Sequence, residues 1–405
     1  MSNIQFACHL DYGKEGRVAV VSLGPEGAEA IPLDPGAPTG RPAPERPTFV
    51  GVDWRDGRGV FLLEPDGTLR RAEALPADAV PTYAYVAPDG ALWFSHDGDK
   101  EEGRDPARCP EGGAAVSVIR DDGGAPRLEG TVCVGRGHHV TAFVPAAGGR
   151  PARAFVSNLL DGNLVVLGAD PDDGATYLKE LGRVDLRDPE RQGDPFPHGL
   201  VHSPATGRVY NLNNGYRTVA CIDPETLRIE RASPMGVSSN LLLSPCGRFL
   251  VGKGADRKSD PEHVLGRVCV MEAETGRVVA EQTLPDLYPS TYRFSPDGRR
   301  LYLTSAATGK GAQRERLRKD VVLVYDAARL PELVLLQELR VGVADCGRRP
   351  LAFPREDGRV LVPDSEGGLS VLDGASGRLL QRLVLGPPGV QEPAFSYWGG
   401  AIAGA

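Results

Sequence analysis

The chain has little of what several broad function classes require. No apolar run approaches the roughly 18 residues that a membrane-spanning helix needs. The opening residues, "MSNIQFACHLDYGKEG", lack a basic stretch followed by an apolar one, so the sequence reads as having no signal peptide. Positive charge is also short: the formal net charge is −8, so no dominant positive field is available to meet nucleic-acid phosphates. The seven cysteines (Cys8, Cys109, Cys133, Cys221, Cys246, Cys269 and Cys346) are odd in number, scattered, and contain no C-x-x-C pair. That pattern predicts small buried residues and reduced thiols in a cytoplasm rather than a disulfide frame. Local catalytic signatures are missing as well. The sequence has no G-x-S-x-G, H-E-x-x-H, dinucleotide fingerprint or C-x-x-C-H, and its glycines near basic residues do not open a helix after a strand. Apolar stripes of helical period longer than two turns are scarce, which excludes a helical bundle.

What is abundant is turn chemistry. The 405 residues include 51 glycines and 35 prolines, spread between short β-type runs. The runs repeat. "STYRFSPDGRRLYLTSA" (290–306), "SSNLLLSPCGRFLVGKG" (238–254), "PHGLVHSPATGRVYNLNN" (197–214) and "PTYAYVAPDGALWFSHDG" (81–98) each read as strand, S/A-P-x-G turn, strand. "HHVTAFVPAAGGRPARAFVSN" (138–158) and "RRPLAFPREDGRVLVPD" (348–364) fit with small changes. A third strand follows, ending in an acidic turn ("DVVLVYDAA", "RTVACIDPETL"), and then a fourth. Four antiparallel strands per repeat is the pattern of a propeller blade. The predicted fold is therefore all-β: residues 1–405 as a single closed β-propeller of eight four-stranded blades. Residues 392–400, a first strand with nothing after it, join 4–33, three strands without a first, to form the closing blade. Residues 32–47 read as a stiff Pro-rich connector. The unit at 48–75 shows only three strands; if it is an extension rather than a blade, the count is seven.

The "SPDG-R-hhh…VhD…TGR" pattern resembles the lactonase-like and YVTN-type propellers, a superfamily that includes 6-phosphogluconolactonase-like enzymes and cytochrome d1-type domains. The resemblance covers almost the whole chain and implies architecture more than chemistry. The Trp-Asp dipeptide of WD40 blades is absent.

The blade template turns sequence position into spatial position. Six residues before each turn proline stand Thr82, His139, His198, Ser239, Ser290 and Arg348, joined by Thr48 and Glu392 under a looser alignment. The second strands end at His9, Glu64, His96, Asn158, Asn213, Lys253, Ser305 and Asp364. Both sets are expected at one mouth of the central channel. His263 lies in a loop on the same face, and three charged insertions (97–113, 254–268 and 306–319) rise there. His202 departs from the set, lying four residues into its strand.

Neutral imidazole is the commonest ligand for copper, iron and zinc, and a propeller mouth can converge side chains without a short motif. His139, His198 and His96 form the best trio, with His9 and His138 as further ligands of a transition metal, copper or iron or else zinc. Glu64, Glu392 and Asp364 are candidate carboxylate ligands or orienters of a ring nitrogen. Arg348 and Arg349 are placed to hold a substrate carboxylate or phosphate. The leading expectation is a cytoplasmic enzyme performing oxidative chemistry on a small polar or anionic molecule. The alternatives are a metal-free lactonase- or isomerase-like enzyme using His, Arg and Glu at the same mouth, and a non-catalytic scaffold that binds a ligand or a protein partner. No nucleic acid and no membrane is expected as a partner.

Overall fold

The structure is a computed structural model. It describes residues 4–10, 17–24, 27–32, 48–52, 60–63, 69–72, 81–96, 109, 114–120, 127–345, 349, 351–353, 358–384 and 394–396. Of the residues up to 84, of His96, His138 and His139, and of 394–396, only the backbone is described.

These residues form eight antiparallel sheets, six of four strands and two of three. Apart from Ala312–Arg316 and the single 3-10 turn Ala327–Arg329, no helix occurs among the described residues. A representative sheet runs His138–Val144, Arg153–Asn158, Asn163–Gly168, Glu180–Asp185, each strand paired with the next. The next three follow the same plan: Pro197–Ser203 to Ile229–Pro234, Asn240–Leu243 to Val278–Pro285, and Pro289–Phe294 to Leu335–Arg340. The sheet from Pro81–Val86 to Arg127–Gly135 precedes them. Ala394–Ser396 pairs antiparallel with Ile4–Leu10 through Ala7↔Ser396, Cys8↔Phe395 and His9↔Ala394, giving a four-stranded sheet built from both ends of the sequence.

Two sheets fall short of four strands. Thr48–Val52, Val60–Leu63 and Leu69–Ala72 form the three-stranded unit visible in the sequence. The sheet Arg359–Pro363, Gly368–Asp373, Leu379–Val384 is joined, among the described residues of 348–353, through an isolated bridge, Ala352↔Leu361.

Burial explains why the sequence shows apolar runs rather than clean alternation. Second and third strands such as Arg208–Asn213 and Thr218–Ile222 are buried on nearly every residue, because both sheet faces are covered. The outermost strands, such as Ile229–Pro234 and Leu379–Val384, have a single buried residue each.

The S-P-x-G turn has a local cause. In two sheets its serine closes the hairpin: Ser244 Oγ accepts from Phe249 N at 3.0 Å, and Ser295 Oγ accepts from Arg300 N at 3.0 Å. The glycine that ends the turn sits at φ 71° (Gly247) or 68° (Gly298), where a Cβ would be strained. Successive turns also touch. Ser203 Oγ donates to Gly247 O at 2.6 Å, and a Cβ on Gly298 would lie 2.9 Å from Pro245 Cβ.

A second tie links sheets toward their outer edges. Tyr210 Oη donates to Ala273 O at 3.1 Å, and Tyr302 Oη donates to Gly374 O at 2.6 Å. Each tyrosine lies on a second strand, and each acceptor lies in the acidic turn of the following sheet. Burial pushes both phenols up to about 12. Tyr302→Phe removes one such bond while keeping the ring. Its expected cost is about 1 kcal/mol, read as a lowered denaturant midpoint with an unchanged slope.

Candidate functional site

The inner strands begin where the second strands end, and at that point four of them carry an irregularity. Pro81 pairs with His96, His138 with Asn158, Pro197 with Asn213 and Pro289 with Ser305. Immediately afterwards the register slips, between Pro81 and Tyr83, His138 and Thr141, Pro197 and Gly199, and Pro289 and Tyr292. Thr82, His139, His198 and Ser290 therefore stand within bulges. A bulge leaves a residue out of the ladder and re-aims its side chain.

These heads are set against one another. A Cβ on Gly199 would lie 2.7 Å from Leu241 N and Leu241 Cβ, so the strands carrying His198 and Asn240 approach closely. Ser290 Oγ accepts from Arg349 N at 2.7 Å, which joins the head of one inner strand to the next sheet. The heads and the S-P-x-G turns thus lie at opposite ends of these sheets, as the sequence predicts.

The sequence-predicted residues separate into three groups. Glu64, Glu392 and Arg348 lie outside the described residues. His9, His96, His138 and His139 are placed by backbone only: His9 opposite Val18 and Ala394, His96 opposite Pro81, and His138 opposite Asn158. The described side chains are His198, Arg349 and Asp364. His198 is half-buried on its bulge.

Arg349 and Asp364 require correction. Arg349 is only 1% exposed. Its Nη2 donates to Lys319 O at 2.8 Å and to Gly342 O, and its own carbonyl accepts from Thr304 Oγ1 at 2.9 Å. Through Nη2 this buried side chain ties its segment to both flanks of the preceding sheet, rather than standing on an open rim as the sequence predicts. Asp364 has a fully buried side chain. Its Oδ1 accepts from Gly368 N at 2.8 Å and Glu366 N at 2.9 Å, while Oδ2 accepts from Arg382 Nη2 at 2.9 Å and Nε at 3.1 Å. Those bonds close a turn and leave the carboxylate no free direction for a ligand or a proton. Among the described residues, no three His, Cys, Asp or Glu side chains gather closely enough to hold a metal ion.

The cysteine expectation also changes. Cys109, from the 97–113 insertion, is bonded to Cys133 on the outer strand Arg127–Gly135. Cys221, Cys246 and Cys269 are free thiols.

Two features escaped the sequence reading. Phe196, two residues before His198, is 40% exposed at φ 47°. A bulky residue in the left-handed region is an outlier. It is held there by Asn214 N donating to Phe196 O at 3.1 Å and by Gly215, whose Cβ would lie 2.0 Å from Asp194 O. An exposed aromatic ring beside a bulged histidine is a surface on which the apolar face of a small ring can rest.

The second feature is a side-chain pair. His263 Nδ1 lies 3.0 Å from Asp286 Oδ1 and 3.1 Å from Oδ2. The two residues are 23 apart in sequence and belong to different connections, so no spacing rule announces them.

The two insertions expected on this face dock on each other. Gln313 Nε2 donates to Asp260 O at 2.6 Å and Arg257 O at 3.1 Å, and Arg316 pairs with Glu262 at 3.2 Å. Asp256 opens the loop that carries His263. It accepts from Ser259 Oγ at 2.5 Å, Lys258 N at 2.9 Å and Ser259 N at 3.1 Å. These bonds, the Ser259 hydroxyl first, lower its carboxyl to about 2 from an ordinary 3.8. A lowered carboxyl stabilises the fold fully above 3.8, and that contribution fades as pH falls through about 2. A carboxyl-carbon NMR titration is expected to place the Asp256 midpoint near 2, and Ser259→Ala should move it upward.

No family model and no curated protein matches the chain. Solved structures do. A periplasmic gluconolactonase from Pseudomonas aeruginosa aligns with TM-score 0.58 at 16% identity, over 98% of this chain and 99% of that one. A putative 6-phosphogluconolactonase from Bacteroides uniformis aligns with TM-score 0.55 at 16% identity, over 98% and 100%. Hydrazine synthase from Kuenenia stuttgartiensis aligns with TM-score 0.53 at 16% identity, over 76% and 86%. These likenesses concern the fold, and the fold is that of a β-propeller.

Proposed function

We propose that this protein is a metal-free hydrolase of small, polar cyclic esters, working at the face where the inner strands begin. The observation that supports this most is the end-to-end likeness to a gluconolactonase, over 98% of this chain and 99% of that one. The match to hydrazine synthase spans a smaller share, 76% of the chain, and fold alone does not carry chemistry. The oxidative metal reading draws nothing further from the described side chains. In the hydrolytic reading, Phe196 receives the apolar face of the lactone ring, and a histidine of this face takes the proton of the attacking water. The whole chain acts as one propeller domain. Among the described residues no helix is long and apolar enough to cross a membrane. The Cys109–Cys133 bond favours an oxidising compartment over the cytoplasm expected from the sequence.

The test is lactone hydrolysis followed by pH-stat, with protein purified without a histidine tag and assayed for metals. Glucono-, galactono- and 6-phosphoglucono-lactones are the substrates. Turnover well above the spontaneous rate and indifferent to chelators is expected, with a raised KM in Phe196→Ala. No acceleration on any of the three would overturn the reading. Activity that chelators abolish and copper or iron restores would return the metal-dependent one.

A further inference from the structure

The His263–Asp286 pair is the arrangement on this face most suited to moving a proton. Both residues leave their sheet at the end where the inner strands begin. His263 follows the second strand Phe249–Asp256, and Asp286 sits between Val278–Pro285 and the next inner strand, Pro289–Phe294. The imidazole is bound on one side only. Nδ1 faces both carboxylate oxygens, at 3.0 and 3.1 Å, and so carries the proton that it donates. Nε2 makes no hydrogen bond among the described residues, and the side chain is 39% exposed. This is a base with its tautomer fixed and its lone pair presented to solvent.

Both partners are built into place. The His263 amide donates to Asp260 Oδ1 at 3.1 Å, and its carbonyl accepts from Gln313 Nε2 at 3.4 Å. Asp286 takes φ 50°, unusual for a residue with a side chain. It is pinned by Asp286 N donating to Val264 O at 2.8 Å and Arg318 N donating to Asp286 O at 2.8 Å. Gly266 makes room for this segment, since a Cβ there would lie 2.2 Å from Leu287 O. A chance surface ion pair does not need three anchoring segments.

Resting on the hydrolase reading above, we infer that His263 is the general base of that reaction and that Asp286 is its positioning residue. Water's oxygen bonds to the lactone carbonyl carbon while its proton passes to His263 Nε2. The imidazolium so formed faces the Asp286 carboxylate. Collapse of the tetrahedral intermediate breaks the ring C–O bond, and His263 returns the proton to the departing ring oxygen. The product is the open hydroxy acid, which ionises in water.

The experiment compares the full-length wild type with His263→Gln, Asp286→Asn, His198→Ala and His263→Ala on gluconolactone. His263→Gln is expected to lower kcat by at least ~10²-fold with KM nearly unchanged. Asp286→Asn should lower kcat by at least ~10-fold, again without a matching rise in KM. Added imidazole should partly restore His263→Ala and leave Asp286→Asn unmoved. An active wild type whose His263→Gln variant keeps its kcat, with the loss falling on His198→Ala instead, would overturn the assignment. An inert wild type overturns the hydrolase reading itself. The pair is then judged by diethyl pyrocarbonate labelling, followed by mass spectrometry. Faster labelling of His263 than of His198, slowed by Asp286→Asn, supports the base, and labelling indifferent to Asp286 overturns it.

Discussion

Replacing Asp364 by alanine is expected to destabilise the protein by about 2–4 kcal/mol while leaving the kcat of the surviving folded fraction unchanged. The side chain is fully buried, and four donors converge on it: two turn amides and two nitrogens of Arg382. Charge-assisted bonds contribute about 1.5–3 kcal/mol each when lost singly, and the Gly368 amide would be left buried without its acceptor. Arg382 itself is partly exposed and also bonded to Glu366, so water recovers part of its loss. The site allows no larger replacement to compensate. The carboxylate already fills the space where a Cβ on Gly342 or Gly368 would go, at 2.0 and 2.4 Å from Oδ2. Urea titration of Asp364→Ala and Asp364→Asn, alongside the lactone assay, checks this. Unchanged stability with collapsed activity would restore Asp364 to the catalytic role that its position at a strand end suggests.

The second large effect concerns the Cys109–Cys133 bond. The bonded residues are separated by 24 positions, and the bond ties the 97–113 insertion to an outer strand. Closing a loop of that length removes unfolded-state entropy equivalent to about 3 kcal/mol. The Cys109→Ser/Cys133→Ser double variant is expected to lose about that much, and reductant should destabilise the wild type but not the variant. Peptide mapping under non-reducing conditions should recover the linked pair from protein exported to an oxidising compartment. Recovery of only free thiols there would return the cysteines to the role the sequence suggests.

The two misreadings share a cause. Local chemistry was legible: the serine, the glycine and the hairpin of each S-P-x-G turn are all within six residues of one another, so the turn and the repeat could be read directly. The register of the inner strands could be read only to within one residue. His138 pairs with Asn158 and His139 falls in the bulge that follows, whose position depends on the partner strand. Asp364 and Arg349 looked like mouth residues because a polar side chain at a strand end has two explanations, a ligand or a buried hydrogen-bond acceptor or donor. Only the three-dimensional partners separate them: Arg382 for one, and the carbonyls of Lys319 and Gly342 for the other. His263 and Asp286 were invisible as a pair because they lie 23 residues apart, in different connections, and meet only through the pairing of Leu265 with Pro285.

The outer ties between sheets have a further consequence. Tyr210 and Tyr302 grip the main-chain carbonyls of Ala273 and Gly374, and Arg153 Nη1 does the same to Pro224 O at 2.5 Å. A grip on a carbonyl does not depend on which side chain the neighbour carries there. Each unit can therefore be joined to a successor of quite different sequence, provided that the backbone of one short turn keeps its course. Loops 254–268 and 306–319 at the opposite end are not free in this way: they bond to each other through Gln313 and Arg316, so a change in one has to be matched by a change in the other.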